Sequence, residues 1–144
     1  MSLQFLDTNV LLYAYDTAAG EKHNRARELI LGLARNHQAA ISVQVMQEFY
    51  VNAVTKIAQP LTFEQAALRL EAFSRWYVHS PLPTDVIAAT QLRQRHQLSF
   101  WDAMIVLSAQ RMNCQILWTE DLNAGQVIEG VQICNPFAES SSIF

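Results

Sequence analysis

Charged residues are scarce in this sequence. Asp, Glu, Lys and Arg make up 16% of its 144 residues, against about 25% in average soluble proteins. The net charge is −3, and the scattered basic residues form no stripe of the kind that binds nucleic acid by charge alone. Hydrophobic residues reach 51%, which is ample for the core of a single domain. The shortage of charge also predicts apolar surface that a partner covers.

Long apolar runs and paired metal-binding side chains are missing too. No run approaches the roughly 20 residues of a membrane span, and Asp7 and Asn9 interrupt the apolar start that a signal peptide needs. We therefore expect a cytoplasmic protein without membrane contact. Cys114 and Cys134 have no metal-ligand spacing, which favours buried free thiols. The four histidines show no HxH or HxxxH pattern.

Strand-like and helical patterns alternate along the chain. The predicted strands cover residues 3–7, 39–42, 76–79, 114–119 and 131–134. The predicted helices cover residues 8–15, 20–37, 43–57, 62–75, 84–97 and 100–112, with a capping box at Thr62 and Gln65 and caps at Thr84 and Ser99. Such alternation predicts a three-layer α/β/α fold around a central, mainly parallel sheet.

Four acidic residues fall where this fold would bring them to one edge of the sheet. Asp7 ends the first strand, and Asp121 follows the strand at 114–119. Glu48 and Asp102 lie in early turns of predicted helices. Ligands of open α/β sheets bind outside the carboxyl ends of the strands. We therefore expect these four carboxylates to share one site.

Each acid also has an ordinary structural interpretation. Asp7 and Asp102 occupy positions where helix caps are common. Glu48 borders the apolar stripe of its helix, and Asp121 lies in a polar loop. Together they are more specific, because ionised carboxylates in one pocket require cations. Carboxylate oxygens without nearby His or Cys suit Mg²⁺ or Mn²⁺, and Thr119, Asn9 and Asn123 add oxygens that could orient the ligands.

The same residues resemble the PIN-domain nucleases over about residues 3–137. The resemblance lies in the segments Leu6-Asp7-Thr8-Asn9-Val10-Leu11, Trp101-Asp102-Ala103 and Thr119-Glu120-Asp121-Leu122, together with Glu48. The small size and the ending Val131-Gln132-Ile133-Cys134-Asn135-Pro136-Phe137 look most like the VapC-type toxins of bacterial toxin–antitoxin pairs. We therefore expect a PIN-like nuclease domain at 1–137 and a loose C-terminal tail at 138–144.

The resemblance implies a function for the four acids. It implies a metal-dependent endoribonuclease in which water attacks an RNA phosphodiester, with Asp7, Glu48, Asp102 and Asp121 as catalytic, metal-holding residues. It also implies a homodimer and a cognate antitoxin whose tail blocks the site. One departure is Asn123, which stands where many relatives carry another acid. This substitution predicts weaker binding of a second metal ion.

Other functions remain open at this stage. The same metal site would serve an RNA-processing nuclease or a nuclease acting on DNA, and a non-enzymatic α/β binding module would use the acids only as caps and solvated charges. Helical spacing favours core packing for Phe100 and Trp101, with stacking on unpaired bases as the alternative. Arg93 and Arg95 are predicted to be solvated helix residues, with phosphate contact as the alternative.

Overall fold

The computed structural model describes residues 2–138 of the chain. The strands are β1 (Gln4–Leu6), β2 (Ala39–Ser42), β3 (Tyr77–His79), β4 (Ile116–Trp118), β5 (Val127–Ile128) and β6 (Val131–Cys134). The helices are α1 (Thr8–Tyr13), α2 (Glu21–Arg35), α3 (Val43–Ala53), α4 (Phe63–Phe73), α5 (Pro83–His96) and α6 (Phe100–Arg111). A short 3₁₀ helix at Thr17–Ala19 follows α1.

One six-stranded sheet, in the order β3-β2-β1-β4-β6-β5, organises the molecule. All neighbouring strands run parallel except β5 and β6, which form an antiparallel edge. All four residues of β2 are buried, as expected for a parallel strand that is covered on both faces. The structure confirms the predicted three-layer α/β/α fold with a mainly parallel sheet.

The connection order reverses between β1 and β4, at the centre of the sheet. The chain passes from β1 to β2 on one side, whereas β4 pairs with β1 on the other side. The Asp7 N–H donates to the Trp118 carbonyl at 3.1 Å, so β1 and β4 end side by side. Such a reversal opens a crevice at the carboxyl ends of the strands. Residues that follow β1 and β4 therefore line this crevice.

Three helices begin with the side-chain caps that the sequence predicts or permits. Ser42 accepts from the Val45 N–H at 3.3 Å, which starts α3 directly after β2. Thr62 and Gln65 form the predicted reciprocal capping box of α4. Ser99 accepts from the Asp102 N–H at 3.1 Å and starts α6. These caps fix the starts of α3 and α6, which carry Glu48 in the second turn and Asp102 in the first turn.

Other predicted boundaries are wrong in detail. Helix α5 does not use Thr84 as its cap. It begins at Pro83, whose fixed φ suits a first helical position, and the Asp85 carboxylate accepts from the Leu82 N–H at 2.9 Å. Strand β5 was not predicted, because two residues are too few for a periodic pattern. Its turn to β6 needs positive φ at Glu129 and Gly130, which have φ of 50° and 83°.

Cys114 and Cys134 are free, buried thiols, as predicted. Burial raises the pKa of the Cys114 thiol to about 12, which makes it unreactive as a nucleophile. Within residues 2–138, no helix combines the length and apolar character needed to cross a bilayer. Residues 139–144 of the predicted tail lie outside the described part of the chain.

Candidate active site

The four predicted acids lie together around one pocket of about 130 Å³ at the central crevice. They reach it from four different segments of the chain: the end of β1, helix α3, the start of α6 and the loop after β4. The lining residues are Asp7, Thr8, Asn9, Gln44, Glu48, Asn52, Trp101, Asp102, Ile105 and Asp121. The fold thus makes neighbours of residues that are more than 110 positions apart in sequence.

Asp7 is the most enclosed of the four carboxylates, with 8% of its surface exposed. It caps α1 by accepting from the Thr8 N–H at 2.7 Å, and it accepts from the Thr119 hydroxyl at 2.8 Å. Burial raises the pKa of Asp7 to about 6, against the lowering effect of these two hydrogen bonds. The nearby Asp121 and Asp102 carboxylates raise this pKa further. Asp7 therefore caps α1, as predicted, and burial destabilises its ionised form.

Hydroxyl and amide groups connect the other carboxylates to this centre. The Thr8 hydroxyl donates to Glu48 Oε1 at 2.7 Å. The Thr119 hydroxyl, which donates to Asp7, also accepts from the Asp121 N–H at 3.1 Å. The Asn9 amide donates to Asp121 Oδ2 at 3.4 Å. Asn9 and Thr119 therefore contact the carboxylates that they were predicted to orient, and Thr8 does the same for Glu48.

None of the four acids has a basic partner among residues 2–138. Burial raises the pKa of Asp121, and the negative charges of Asp102, Glu120 and Glu48 raise it further. The pocket therefore concentrates negative charge that the described protein does not neutralise. Only a bound cation or a proton would relieve this repulsion.

The chemistry of the donor set fits a hard divalent cation, since every charged group is a carboxylate. In this conformation, however, no three His, Cys, Asp or Glu side chains of the described residues stand close enough together to hold one ion. Two of the carboxylates face neutral donors instead of a common centre, since Glu48 accepts from Thr8 and Asp7 accepts from Thr119. The four carboxylates thus share a pocket but do not converge on one point in this conformation.

Glu120 and Asn123, in the loop that follows β4, do not line the pocket. Glu120 accepts from the Tyr13 hydroxyl at 2.7 Å and from Lys22 Nζ at 2.9 Å. The hydrogen bond to Glu120 raises the pKa of Tyr13. These contacts anchor the loop beside Asp121. Asn123 is exposed and does not line the pocket, so the structure does not bring it to the predicted site.

The sequence reasoning missed three polar residues of the pocket wall. These are Thr8, Gln44 and Asn52. A helical spacing signal was present, because Gln44 and Asn52 lie four residues before and after Glu48, on the same face of α3. The Gln44 Oε1 atom is buried and has no hydrogen-bond donor among the described residues.

The prediction of core packing is wrong for Trp101. Trp101 lines the pocket and is 62% exposed. Phe100, by contrast, is half-buried against the core. Arg93 and Arg95 are exposed as predicted, and Arg95 forms an ion pair with Glu129.

A larger cavity of about 460 Å³ lies beside α2, away from the four acids. Its lining is mainly apolar, and its charged members are Arg25 and Glu28. The Arg25 guanidinium also donates to the Ala138 carbonyl at 2.9 Å. This cavity has greater volume but lacks the clustered acids, so the smaller pocket is the candidate active site.

Comparison with known proteins agrees with this geometry. Residues 5–128 match the PIN domain family, and the chain belongs to that family. No curated protein sequence matches the chain. Among solved structures, the chain is similar to a toxin–antitoxin complex from Klebsiella pneumoniae, with 25% identity and a TM-score of 0.66. That match covers 93% of this chain and 98% of the other.

Two further structures share the fold at lower identity. The DNA-bound VapBC complex of Salmonella typhimurium is 22% identical, with a TM-score of 0.66 over 94% of this chain and 99% of that one. The Mycobacterium tuberculosis toxin VapC20, which cleaves the sarcin–ricin loop, is 19% identical. Its TM-score is 0.58 over 79% of this chain and 86% of that one. These likenesses support the fold alone.

Proposed function

We propose that this protein is a divalent-metal-dependent endoribonuclease and the toxin of a toxin–antitoxin pair. The observation that carries the proposal is the pocket with four acids at the carboxyl ends of β1 and β4, which has no basic partner within residues 2–138. Membership of the PIN domain family supports a nuclease. The toxin in the Mycobacterium tuberculosis structure acts on an RNA loop, which supports RNA as the substrate class.

Asp7, Glu48, Asp102 and Asp121 would hold Mg²⁺ or Mn²⁺, directly or through water. Such an ion makes a water molecule more acidic and offsets the charge that develops on the phosphate oxygens. Neutral residues of the site would hold these carboxylates in position for the ion. Thr119 holds Asp7 and Thr8 holds Glu48, while Asn9 restrains Asp121. Because the raised pKa of Asp7 favours its protonated form at low pH, we expect activity to fall as pH drops below neutral.

Hydrolysis by an attacking water does not require the 2′-hydroxyl of the substrate. Selection of RNA over DNA therefore depends on shape and on contacts outside the four acids. The neutral amides of Gln44 and Asn52 line the same pocket as the four acids and are suitable for such contacts. A matched pair of RNA and DNA oligonucleotides decides between the two substrates.

An antitoxin and a second copy of the chain complete the proposal. The similar Klebsiella pneumoniae and Salmonella typhimurium structures are complexes of toxin with antitoxin, which supports an antitoxin partner. Exposed apolar side chains support a homodimer, since a monomer rarely leaves many such residues in water. They occur on α4 and near the start of α5, and are Phe63, Leu68, Leu82, Val86 and Ile87.

The decisive experiment incubates the purified protein, freed of partners, with total RNA, tRNA and matched oligonucleotides. Mg²⁺, Mn²⁺ and EDTA are compared. We expect discrete cuts in Mg²⁺ or Mn²⁺ that disappear in EDTA and in Asp7→Asn. Asp16→Asn is the matched control, because Asp16 also caps a helix but lies outside the pocket. It should cleave as the wild type does.

Three results would contradict parts of the proposal. Cleavage that survives in Asp7→Asn removes the site assignment. Cutting of DNA and RNA at equal rates removes the ribonuclease assignment. A lack of cutting, combined with a melting temperature that Mn²⁺ does not change, refutes the proposed enzymatic function and favours a binding module. The reason is that a ligand that binds only the folded state must raise the melting temperature.

A further inference from the structure

An exposed tryptophan stands at the mouth of the acidic pocket. Trp101 lines the same pocket as Asp7, Asp102 and Asp121, yet 62% of its side chain is in contact with solvent. Large aromatic rings contribute most when they are buried or stacked. The residue next to a proposed catalytic carboxylate therefore presents an aromatic ring that the other described residues leave largely exposed.

Contacts with neighbouring residues restrain the Trp101 ring. Phe100 is half-buried against the core, and its ring packs edge-to-face with Trp101 at 5.1 Å and 75°. The Gln44 amide lies 3.5 Å from the Trp101 carbonyl and links the first turns of α3 and α6. Ser99 caps this turn. The indole thus loses little further freedom when a ligand binds, which favours a rigid binding platform.

The surroundings indicate what the platform binds. An interface between two copies of this chain, centred on Trp101, would have to bury two sets of the four carboxylates, which have no basic partner within residues 2–138, and this is costly. A nucleotide whose phosphate occupies the acidic pocket, with a cation, places its base outside the pocket and against the indole. Gln44 and Asn52 add neutral amide groups to the pocket lining, so a base does not meet a uniformly anionic surface there.

We propose that Trp101 stacks on an unpaired base next to the scissile phosphate and so directs the enzyme to single-stranded or looped RNA. Every base has a face that can stack, whereas the bases within a duplex are already stacked on both sides. Trp101 is then a substrate-selecting residue rather than a ligand of the metal. The inference rests on the proposed nuclease function, but binding tests it separately from cleavage.

The binding test uses Asp7→Asn as the background, so that RNA is not cut, and keeps the divalent ion in large excess, because this variant is expected to hold the ion weakly. The probe is a random-sequence RNA octamer in Mg²⁺, with a blunt RNA duplex of equal length for comparison. Adding Trp101→Ala should weaken octamer binding by about 5- to 150-fold, the range for loss of one stacked base. Trp101→Phe should retain most of the affinity. Trp101→Leu should behave like Ala, because it keeps apolar bulk without an aromatic face.

Tyr77→Ala is the matched control, since Tyr77 is also an exposed aromatic residue, at 52%, but lies away from the pocket. It should bind the octamer normally. With Asp7 restored, Trp101→Ala should keep the Mn²⁺-dependent rise in melting temperature, which shows an intact metal site. Once a cleavage site is mapped, one abasic substitution beside it should slow the wild type and have little further effect on Trp101→Ala.

The outcomes separate the two proposals. If Trp101→Ala or Trp101→Leu binds the octamer as tightly as the background protein, stacking is refuted, whether or not the wild type cleaves RNA. A change of molecular mass in Trp101→Ala, measured by light scattering, also refutes it, because the indole then belongs to an interface between copies. If binding of the octamer depends on Trp101 but the wild type does not cleave RNA, the stacking proposal is supported and the proposed nuclease function is refuted.

Discussion

Replacing Asp7 with Asn should stabilise the metal-free protein at neutral pH. Burial raises the pKa of Asp7 from 3.8 to about 6, so the ionised carboxylate destabilises the folded state by about 3 kcal/mol. Asn resembles the neutral carboxylic acid in shape and caps helices as well as Asp does. For a chain of this size, the gain corresponds to a rise in melting temperature of roughly 5–12 °C.

The effect of pH has a defined sign. The folded pKa of Asp7 lies above its unfolded value, so the folded state binds more protons between about pH 4 and pH 6. Wild-type stability should therefore fall as pH rises through this window. Below about pH 4 the carboxyl group is neutral in both states, and the wild type and Asp7→Asn should melt together. Above about pH 7 their difference should be complete.

The assay is thermal unfolding in EDTA at several pH values, followed by addition of Mn²⁺ at pH 7.5. Mn²⁺ should raise the melting temperature of the wild type and of Asp16→Asn, but barely that of Asp7→Asn. Equal melting temperatures of wild type and Asp7→Asn in EDTA at pH 7.5 would refute the reasoning. That result would mean that solvent or a cation already neutralises Asp7 in the purified protein.

Three further predictions concern other parts of the molecule. Asp85→Asn should lower the free energy of unfolding at pH 7 by about 1–2 kcal/mol, because hydrogen bonds from the Leu82 N–H and then Arg111 lower the pKa of Asp85 and stabilise its charged form. In urea unfolding, the loss should be smaller at pH 3 than at pH 7. Gln44→Met should raise the melting temperature slightly, because it removes a buried acceptor without a donor; a fall would show that this oxygen is hydrogen-bonded to water. Ile87→Glu should convert the proposed dimer to a monomer in light scattering, and an unchanged dimer mass would place the interface elsewhere.

Much of the fold could be predicted from local patterns. Apolar runs and caps located five strands and six helices, because each pattern repeats over several residues or uses a specific cap such as Ser99. Strand β5 could not be found in this way, since its two residues pair only through a turn with positive φ at Glu129 and Gly130. Helix α5 began at Pro83 because the cap comes from Asp85, which lies inside the helix.

The sequence was sufficient to predict which four acids share the pocket, but not the exposure and contacts of the residues around them. Strand ends and helix starts were sufficient to predict that Asp7, Glu48, Asp102 and Asp121 would share a pocket. The exposure of Trp101 depends on how helix α6 packs against the rest of the fold, which no local sequence pattern encodes. The position of Glu120 likewise depends on contacts with Tyr13 and Lys22 that lie about 100 residues away.

The contrast between Asp7 and Asp85 shows why burial alone does not identify an active-site carboxylate. Both are nearly inaccessible, at 8% and 7% exposure. Asp85 accepts hydrogen bonds from a backbone N–H and from Arg111, which lower its pKa and make its charge stabilising. Burial raises the pKa of Asp7, the hydrogen bonds from Thr119 and Thr8 offset this only in part, and the negative charges of Asp121 and Asp102 raise the pKa further. Because Asp7 is buried, its ionised form lowers the stability of the fold, and a cation in the pocket would reverse that effect. This preference for a cation, rather than the depth of the carboxylate, is the reason we propose Asp7 as a metal ligand and interpret Asp85 as a structural acid.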